Sequence, residues 1–587
     1  MKNQEIAKIF YEVADYLRTK EESFRAIAYR KGADVIAYLE EDIKEIYRKG
    51  GVKELQEIPG IGESLAEKIE EFLKTGKIKY YENLKKQLPI NLEELIRVEG
   101  VGPRKARILY QKLGIKNVKE LEKSAKAGKI NSLAGFGKKT EKNILEGIEF
   151  LKRDKGRFLL GEIMPQVEIV FDKLKKMKDV QKIEIAGSLR RMKETIGDVD
   201  FLVVSKKPKE VISFFASLPG IEKVWAKGAT KSSVRTAYGF DMDLRVVPEK
   251  SFGSALQYFT GSKEHNVATR IIAIKKGLKL NEYGLFKRSK MIAGKTEEEI
   301  YGALNLAWMP PEIRENEGEI EAAFQQVQGE PNGLPNLIDC KDIKGDLHCH
   351  SDWDGGENSI EEMADYAIKL GYEYIGISDH TKFLRIEHGL NEKQILDQYE
   401  AIKKINSRYQ IQDSRFRILH GCEANIMPDG SIDIDNEVLY QLDYVIAGVH
   451  SSLKMEKSEM TNRIIKAMEN PNVDIISHPT GRLVLQRDEY QMDFEKILAT
   501  AKKTGTILEI NASPERLDLK DSNIRKAKES GVIMIINTDA HRKEHMNLMK
   551  YGVAQARRGW AEKKDIANTK SLENLLKLFK NNDKTAQ

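Results

Sequence analysis

The spacing of apolar and polar positions changes character twice along the chain. Over the first 150 residues, helical patterns are joined by a motif that returns three times: LQEIPGIG (55–62), LIRVEGVG (95–102) and INSLAGFG (130–137). Each copy is an apolar residue, four further positions, then two glycines flanking an apolar residue, and each runs into a lysine-rich helical stretch. The offsets of 40 and 35 residues are too irregular for a solenoid. The pattern predicts a helix, a tight glycine turn, and a second helix with its N-terminal amides exposed. Glycine lets backbone come close to a phosphate, and a helix N-terminus attracts the anion. Gly60, Gly62, Gly100, Gly102, Gly135 and Gly137 are therefore candidate contacts to a nucleic-acid backbone, in the manner of helix-hairpin-helix motifs.

From about 155 to 250 the pattern alternates. A helix over 160–178 is followed by short β-rich runs: VQKIEIAGS, IGDVDFLVV and FDMDLRVV. Residues 251–310 are mixed and basic. Residues 311–340 lose the basic bias and gather Gly, Pro and Asn, which predicts a linker at 316–340. Beyond 341 the chain is strongly periodic. Seven β-rich runs (KGDLHCHS, YEYIGISDH, RFRILHGCEAN, LDYVIAGVHSS, VDIISHPT, GTILEINAS and GVIMIINTDAH) are separated mostly by helical patterns. Such βα repetition predicts parallel strands, and a barrel one unit short of a TIM barrel, with its site at the C-terminal strand ends.

Length and charge sharpen the division. A chain of 587 residues holds three to five domains at roughly 100–200 residues each. Residues 1–310 carry 60 Lys+Arg against 44 Asp+Glu, a net +16, while 311–587 carry 37 against 47, a net −10. Of the 10 His, only His265 precedes residue 311. A basic half suits a polyanion and an acidic, His-rich half suits divalent metals. No apolar run approaches the roughly 18 residues needed to span a bilayer. The N-terminus, MKNQEIAKIF, has charges where a signal peptide needs an apolar core. Three cysteines make no disulfide framework, so a cytoplasmic location is expected.

In AGSLRRMKETIGDVDFLVV (186–204), Asp198 and Asp200 fall two apart on a predicted strand, so both face one side. Paired carboxylates repel unless a divalent cation lies between them, and Mg²⁺ takes such a pair together with substrate phosphates. Asp241 and Asp243 in FDMDLRVV offer a third carboxylate, and three acids suit two metal ions about 3.5–4 Å apart. Upstream, Gly187 and Ser188 would present amides and a hydroxyl to a phosphate, with Arg190 and Arg191 as its charge partners.

These residues, with DLRVVP, YFTGSKEHN (258–266) and LNEYGLF (280–286), resemble the family X, DNA polymerase beta-like, DNA polymerases. The resemblance runs from the N-terminus to about residue 315 and includes the three glycine motifs. It implies Asp198, Asp200 and Asp243 as the metal-binding triad for Mg²⁺ or Mn²⁺, and Asp241 as a bystander. It implies Gly187, Ser188, Arg191 and Gly197 at the incoming triphosphate, Tyr258, Phe259 and Gly261 beside the sugar, and Asn266 and Arg270 along the nascent base pair. FRAIAYRKGADVIA (24–37) and GIGESLAEKIEEFL (60–73) also match the family's deoxyribose-phosphate lyase domain. They imply Lys68 as a Schiff-base nucleophile, with Arg25, Tyr29 and Lys31 near a 5′-phosphate. Ser64 stands where the animal enzymes have a further lysine.

In the C-terminal half, His348, His350, His380, Glu423, His450, His478, Asp539 and His541 lie at six strand ends. Histidines at i and i+2 on a strand end grip one metal together. Eight such residues exceed what one ion uses, so two or three metals are implied. Cys349 and Cys422 alternate to the opposite face and His420 lies within an apolar strand, so all three read as core. Residues 341–575 resemble the PHP (polymerase and histidinol phosphatase) domain, which implies a distorted (β/α)₇ barrel with a trinuclear Zn²⁺ or Mn²⁺ site hydrolysing phosphoesters. Its ninth ligand, an acid five residues after the second His, falls here on Gly355, with Asp354 one residue early as the substitute.

The expected architecture is multidomain. It comprises helical helix-hairpin-helix domains (1–85 and 86–154), an α+β nucleotidyltransferase palm (155–250), a thumb (251–315), a linker (316–340) and the PHP barrel (341–575). The order of parts resembles the bacterial family X polymerases along nearly the whole chain. The expected activity is a monomeric repair polymerase that uses dNTPs on gapped or primer-template DNA with a 5′-phosphate. Its barrel is associated with 3′→5′ exonuclease and, in some members, abasic-site cleavage. The rival expectations are a nucleotidyltransferase fused to a histidinol-phosphatase-like enzyme and a catalytically decayed DNA-binding scaffold. The glycine motifs and the basic half weigh against the first, and the complete carboxylate triad against the second.

Overall fold

A computed structural model describes residues 2–39, 41–58, 60–98, 100–153, 156–412 and 416–580. Pro59 and Glu99 of the first two glycine motifs, and the expected boundary at 154/155, lie outside them. The chain divides into two units, Met1–Lys155 with Leu485–Arg487, and Gly156–Val484 with Asp488–Gln587.

The first unit is helical around a continuous apolar core that includes Phe10, Leu17, Leu55, Ile69, Leu95, Leu109 and Ile144. Its three glycine motifs share one geometry. The first glycine of each has a left-handed backbone (Gly60 φ 86°, Gly100 φ 85°, Gly135 φ 83°), which a Cβ would penalise. The next amide closes the turn: Ile61 donates to the Ile58 carbonyl, Val101 to that of Val98, and Phe136 to that of Leu133. The second glycine precedes or caps the following helix, at Glu63–Thr75, Pro103–Leu113 and Lys138–Arg153. A Cβ built on Gly62, Gly102 or Gly137 meets nothing within 4 Å, so the backbone there is open to a partner.

In the second unit the palm is a five-stranded sheet in the order Val180–Ile185, Asp198–Ser205, Asp241–Val246, Lys231–Thr236, Ile221–Lys227. Only the Asp198–Ser205 and Asp241–Val246 pair is parallel, and its register sets Asp198 beside Asp241 and Asp200 beside Asp243. Alternation along Asp198–Ser205 sends Val199, Phe201 and Val203 into the core under the helix Leu160–Lys175. Asp198 and Asp200 therefore emerge together on the other face. The two strands over 221–236 carry no apolar run in sequence, because most of Ile221–Lys227 is exposed at the sheet edge.

The expected linker contains a helix, Glu319–Gln328, framed by Gly318 (φ 105°) and Gly329 (φ 74°). Its Ile320 and Ala323 join the thumb core beside Tyr301 and Leu304, and buried Glu319 lies 2.7 Å from His265 Nδ1. Two of the three glycines that suggest a linker in sequence, Gly318 and Gly329, are the helix caps.

The C-terminal strands are all parallel. Gly345–Cys349, Tyr374–Ile377 and Arg417–His420 form one sheet; Glu423–Asn425, Ile446–Gly448, Ile475–Ile476, Ile507–Asn511 and Met534–Asn537 form the other. The run RFRILHGCEAN is thus broken at Gly421–Cys422, where a Cβ on Gly421 would strike the Tyr444 ring at 2.5 Å. Bridges His380↔Glu423 and Cys349↔Ala540 join the two sheets at both ends. The hydrogen-bonded order returns to its first strand, consistent with the seven-unit barrel. Cys349, Cys422 and His420 are buried. Palm and barrel share a core, since Leu517 and Tyr551 sit among the palm's apolar residues and Arg482 Nη2 meets Glu194 at 2.5 Å.

Candidate active sites

Three clusters carry chemistry. In the palm, Asp198, Asp200 and Asp243 share one face of the sheet. Burial, then the charges of Asp198 and Asp243, raise the Asp200 carboxyl to about 7. A cation between the acids would remove that repulsion. Lys231 Nζ lies 3.0 Å from Asp243, a charge that offsets part of it. Asp241, next in register, is spent on other partners: Arg235 at 2.9 Å and the Trp225 indole at 3.0 Å. Gly187 (φ 67°) opens the short helix bearing Ser188, and a Cβ there would lie 2.8 Å from Asp200 Oδ2. This glycine is what lets the turn bearing Ser188 approach the acids. Gly197 immediately precedes Asp198.

The expected sugar and base contacts gather on the helices Phe252–Thr260 and Lys263–Lys275. Tyr258 and Phe259 are half-buried, with Arg270 over the first ring and Arg245 over the second. Gly261 faces Arg191, whose Nη1 lies 3.1 Å from where a Cβ would be. Asn266 is buried, and its amide is spent on the Tyr258 carbonyl (2.7 Å) and Gln257 (2.7 Å). In this conformation it braces the two helices against each other.

In the helical unit, Lys68 Nζ donates to the Ser64 carbonyl (2.9 Å) and hydroxyl (2.8 Å). It also lies over the rings of Tyr29 and Tyr80. Burial lowers the Lys68 ammonium below its ordinary range, and Arg25 adds to the effect. Tyr29 is buried and stacked on Tyr80, so it forms the wall of this site, while Arg25 and Lys31 remain exposed. Tyr80 carried no signal in sequence beyond its lysine-rich surroundings.

The third cluster is the barrel mouth. Glu423 is the hub: His380 Nδ1 and His478 Nε2 approach it at 2.9 Å, His450 Nε2 at 3.3 Å and His348 Nε2 at 3.4 Å. Although burial opposes ionisation, the charges of His348, His450 and His380 hold this carboxyl well below its usual range. Among the described residues, compact donor groups form around His350–His380–His541, His348–His350–Asp539, His380–Glu423–His450 and His350–Asp354–Asp379. His478 stands beside them through Glu423. Both His478 (φ 28°) and Asp539 (φ 56°) have left-handed backbone, strain of the kind held at functional sites.

The donor chemistry fits metal ions. His348 Nδ1 lies 2.7 Å from Glu509, His350 Nδ1 2.8 Å from Asp354, and His450 Nδ1 2.8 Å from Asn425. Each acceptor fixes the proton on Nδ1 and leaves the Nε2 lone pair to point inward. The Nε2 atoms of these three rings are buried without a hydrogen-bond partner. Asp354 joins one of these donor groups, with His350 and Asp379. Its oxygens also accept from the His350 ring, the His380 amide (2.9 Å) and the Gly356 amide (2.9 Å), so it orients His350 as well. Glu509 and Asn425 were missed, whereas Asp379 belongs to the SDH motif at a strand end. Glu509 is a buried acid inside the strand Ile507–Asn511, and an acid within the apolar run GTILEINAS was the available signal. Replacing Glu509 with Gln should lower transition-metal affinity by about 10- to 100-fold, as orienting partners do elsewhere. Metal titration of the purified chain would measure it, and unchanged affinity would refute the orienting role.

Among known proteins, the helix-hairpin-helix domain family matches residues 1–78, and the SAM-like helix-hairpin-helix tandem matches 92–149. The DNA polymerase beta thumb family matches 255–315, and the PHP domain family 346–513. The DNA polymerase/3′-5′ exonuclease PolX of Bacillus subtilis (strain 168) is 37% identical over 588 residues, covering 99% of this chain and all of that protein. Probable phosphatases of Caldanaerobacter subterraneus (34% identical) and of Thermoanaerobacter sp. strain X514 (32%) align with 33% of this chain, covering 75% and 78% of their own lengths.

Proposed function

The chain belongs to the DNA polymerase/3′-5′ exonuclease PolX family, and from that premise we propose that it extends primers in gapped DNA with one centre and trims 3′ ends with another. One observation carries this reading: a face of carboxylates on the palm and a buried histidine cluster in the barrel stand on one chain whose helical unit repeats a phosphate-ready turn three times.

In synthesis, Asp198, Asp200 and Asp243 would hold Mg²⁺ or Mn²⁺. These ions lower the charge on a triphosphate and activate an attacking hydroxyl. The chain's own part is orientation. Gly187, Ser188 and Gly197 present the turn to the phosphates, Arg191 meets them as a cation, Tyr258, Phe259 and Gly261 wall the sugar, and Asn266 and Arg270 flank the new base pair. In trimming, His348, His350, His380, Glu423, His450, His478, Asp539 and His541 would hold two or three ions. Imidazole-rich donors suit Mn²⁺ or Zn²⁺. Lys68, with its lowered ammonium beside Tyr29 and Tyr80, supports a lyase role toward a 5′-deoxyribose phosphate. The partners are DNA carrying a 5′-phosphate at a gap and dNTPs, and the chain acts as a monomer. Among the described residues no helix is long and apolar enough to cross a membrane. With its three cysteines free, we assign it to the cytoplasm.

The phosphatase relatives give a second reading for the barrel alone, hydrolysis of a small phosphate ester. A gapped, 5′-phosphorylated duplex assayed with Mg²⁺ or Mn²⁺, with and without dNTPs, against histidinol phosphate as competitor substrate, separates the two. Extension with dNTPs and shortening without them support our reading. Hydrolysis of the small ester with an intact duplex would overturn it. Binding to the gap should also weaken steeply with salt. If the three glycine turns and neighbouring lysines neutralise four or more phosphates, log affinity falls with log salt at a slope of about −3.6 or steeper. Fluorescence anisotropy from 50 to 300 mM salt measures it, and a slope near zero would remove the electrostatic account.

A further inference from the structure

One carboxylate oxygen in the second unit is shared by three cations. Glu315 Oε1 lies 3.1 Å from Arg191 Nε, 3.1 Å from Arg558 Nη1 and 3.2 Å from Lys193 Nζ. Arg191 comes from the palm, Glu315 from the end of the thumb, and Arg558 from the barrel helix Met549–Arg558. Arg558 cannot swing away. Its side chain is 2% exposed, and it donates to Asp521 at 2.5 Å, to the Arg191 carbonyl at 2.9 Å and to the Glu312 carbonyl at 3.3 Å. The barrel thus touches both the backbone of Arg191 and its counterion. Arg191 itself is engaged on two sides, with Nη1 donating to the Thr260 carbonyl and Nε to Glu315.

We propose that Glu315 and Arg558 are positioning residues of the nucleotide site, through which the barrel sets how tightly the palm holds a nucleoside triphosphate. This rests on the reading of Arg191 as a triphosphate contact. A guanidinium pairs best with phosphate through two parallel N–H bonds, and Glu315 occupies one of the N–H groups available for them. A triphosphate must therefore compete with Glu315 for Arg191. Sharing the same oxygen with Arg558 and Lys193 divides its negative charge among three cations and loosens its grip on any one. The two residues act with opposite signs. Removing the charge of Glu315 frees Arg191, whereas removing Arg558 leaves Glu315 more fully committed to Arg191.

The test is steady-state extension of a gapped duplex by the full chain, measuring kcat and KM for the dNTP. Variants are Glu315→Gln, Arg558→Met, Arg558→Lys, the Glu315→Gln/Arg558→Met pair, and Arg191→Ala. We expect KM to fall about three- to tenfold in Glu315→Gln and to rise by a similar factor in Arg558→Met, the scale of one partly exposed charged hydrogen bond. The change in kcat should stay within roughly twofold, since the acids that hold the metals are untouched. Arg558→Lys should restore part of the affinity. The double variant should match Glu315→Gln alone, because Arg558 acts through Glu315. A KM that rises in both single variants, or effects that simply add in the double, would overturn the proposal in favour of a structural brace. If Arg191→Ala raises KM while Glu315→Gln and Arg558→Met leave it unchanged, the coupling alone is wrong. If Arg191→Ala leaves KM unchanged, the reading of Arg191 fails first and the proposal with it.

Discussion

Changing Asp198 and Asp200 together to alanine should stop primer extension while shortening of 3′ ends continues. The two acids stand side by side on one strand, in register with Asp241 and Asp243. Burial and mutual repulsion already hold Asp200 near neutrality at about 7, so the pair is poised to gain a cation. Without it, Asp243 is left with Lys231 at 3.0 Å, an ion pair that no longer needs a metal. The loss is several kcal/mol of transition-state stabilisation, or at least about a thousandfold in rate. Both activities are scored on one labelled primer-template with Mn²⁺ present. A double variant that binds DNA normally yet loses shortening as well would show that the two centres are not separate.

The converse change, His348→Ala with His350→Ala, should abolish shortening by at least about a thousandfold and leave extension within a few-fold of the parent. These two rings enter three of the four donor groups, and each is oriented by a buried acid, Glu509 or Asp354. The variant should also retain less bound transition metal, which elemental analysis after gel filtration measures. The mutation removes ligands of the retained metal, so stripping that metal with a chelator and then supplying Mg²⁺ alone should mimic the loss of shortening. If extension fell as far as shortening in a variant with unchanged melting temperature, the assignment of separate tasks to palm and barrel would be wrong.

What the sequence disclosed was local. Glycine turns, a D-x-D pair and histidines at the ends of apolar runs each occupy a few consecutive residues, and strand alternation fixes which way they face. What it concealed depends on elements brought together from afar. Glu509 orients His348 across 161 residues, and Arg558 reaches Arg191 across 367. No spacing rule connects such partners. The helix Glu319–Gln328 was hidden for another reason: its framing glycines are the residues that also mark linkers. Asp354 has a contact that position alone does not disclose, since besides joining a donor group it accepts from the His350 ring.

The shared core of palm and barrel restricts how this chain can be shortened. Leu517 and Tyr551 fill the palm from the barrel's side, Trp560 closes over Ile313 and Ala322, and a single methyl group on Gly161 would collide with Pro514 at 2.4 Å. Cutting the gene between thumb and barrel would not release two finished proteins. Each fragment would expose an apolar face that the other now covers, and large exposed apolar patches invite aggregation. In this chain palm, thumb and barrel are thus packed as one object. A lineage that no longer needed one of its activities would be expected to lose side chains at that centre while keeping the fold that carried them.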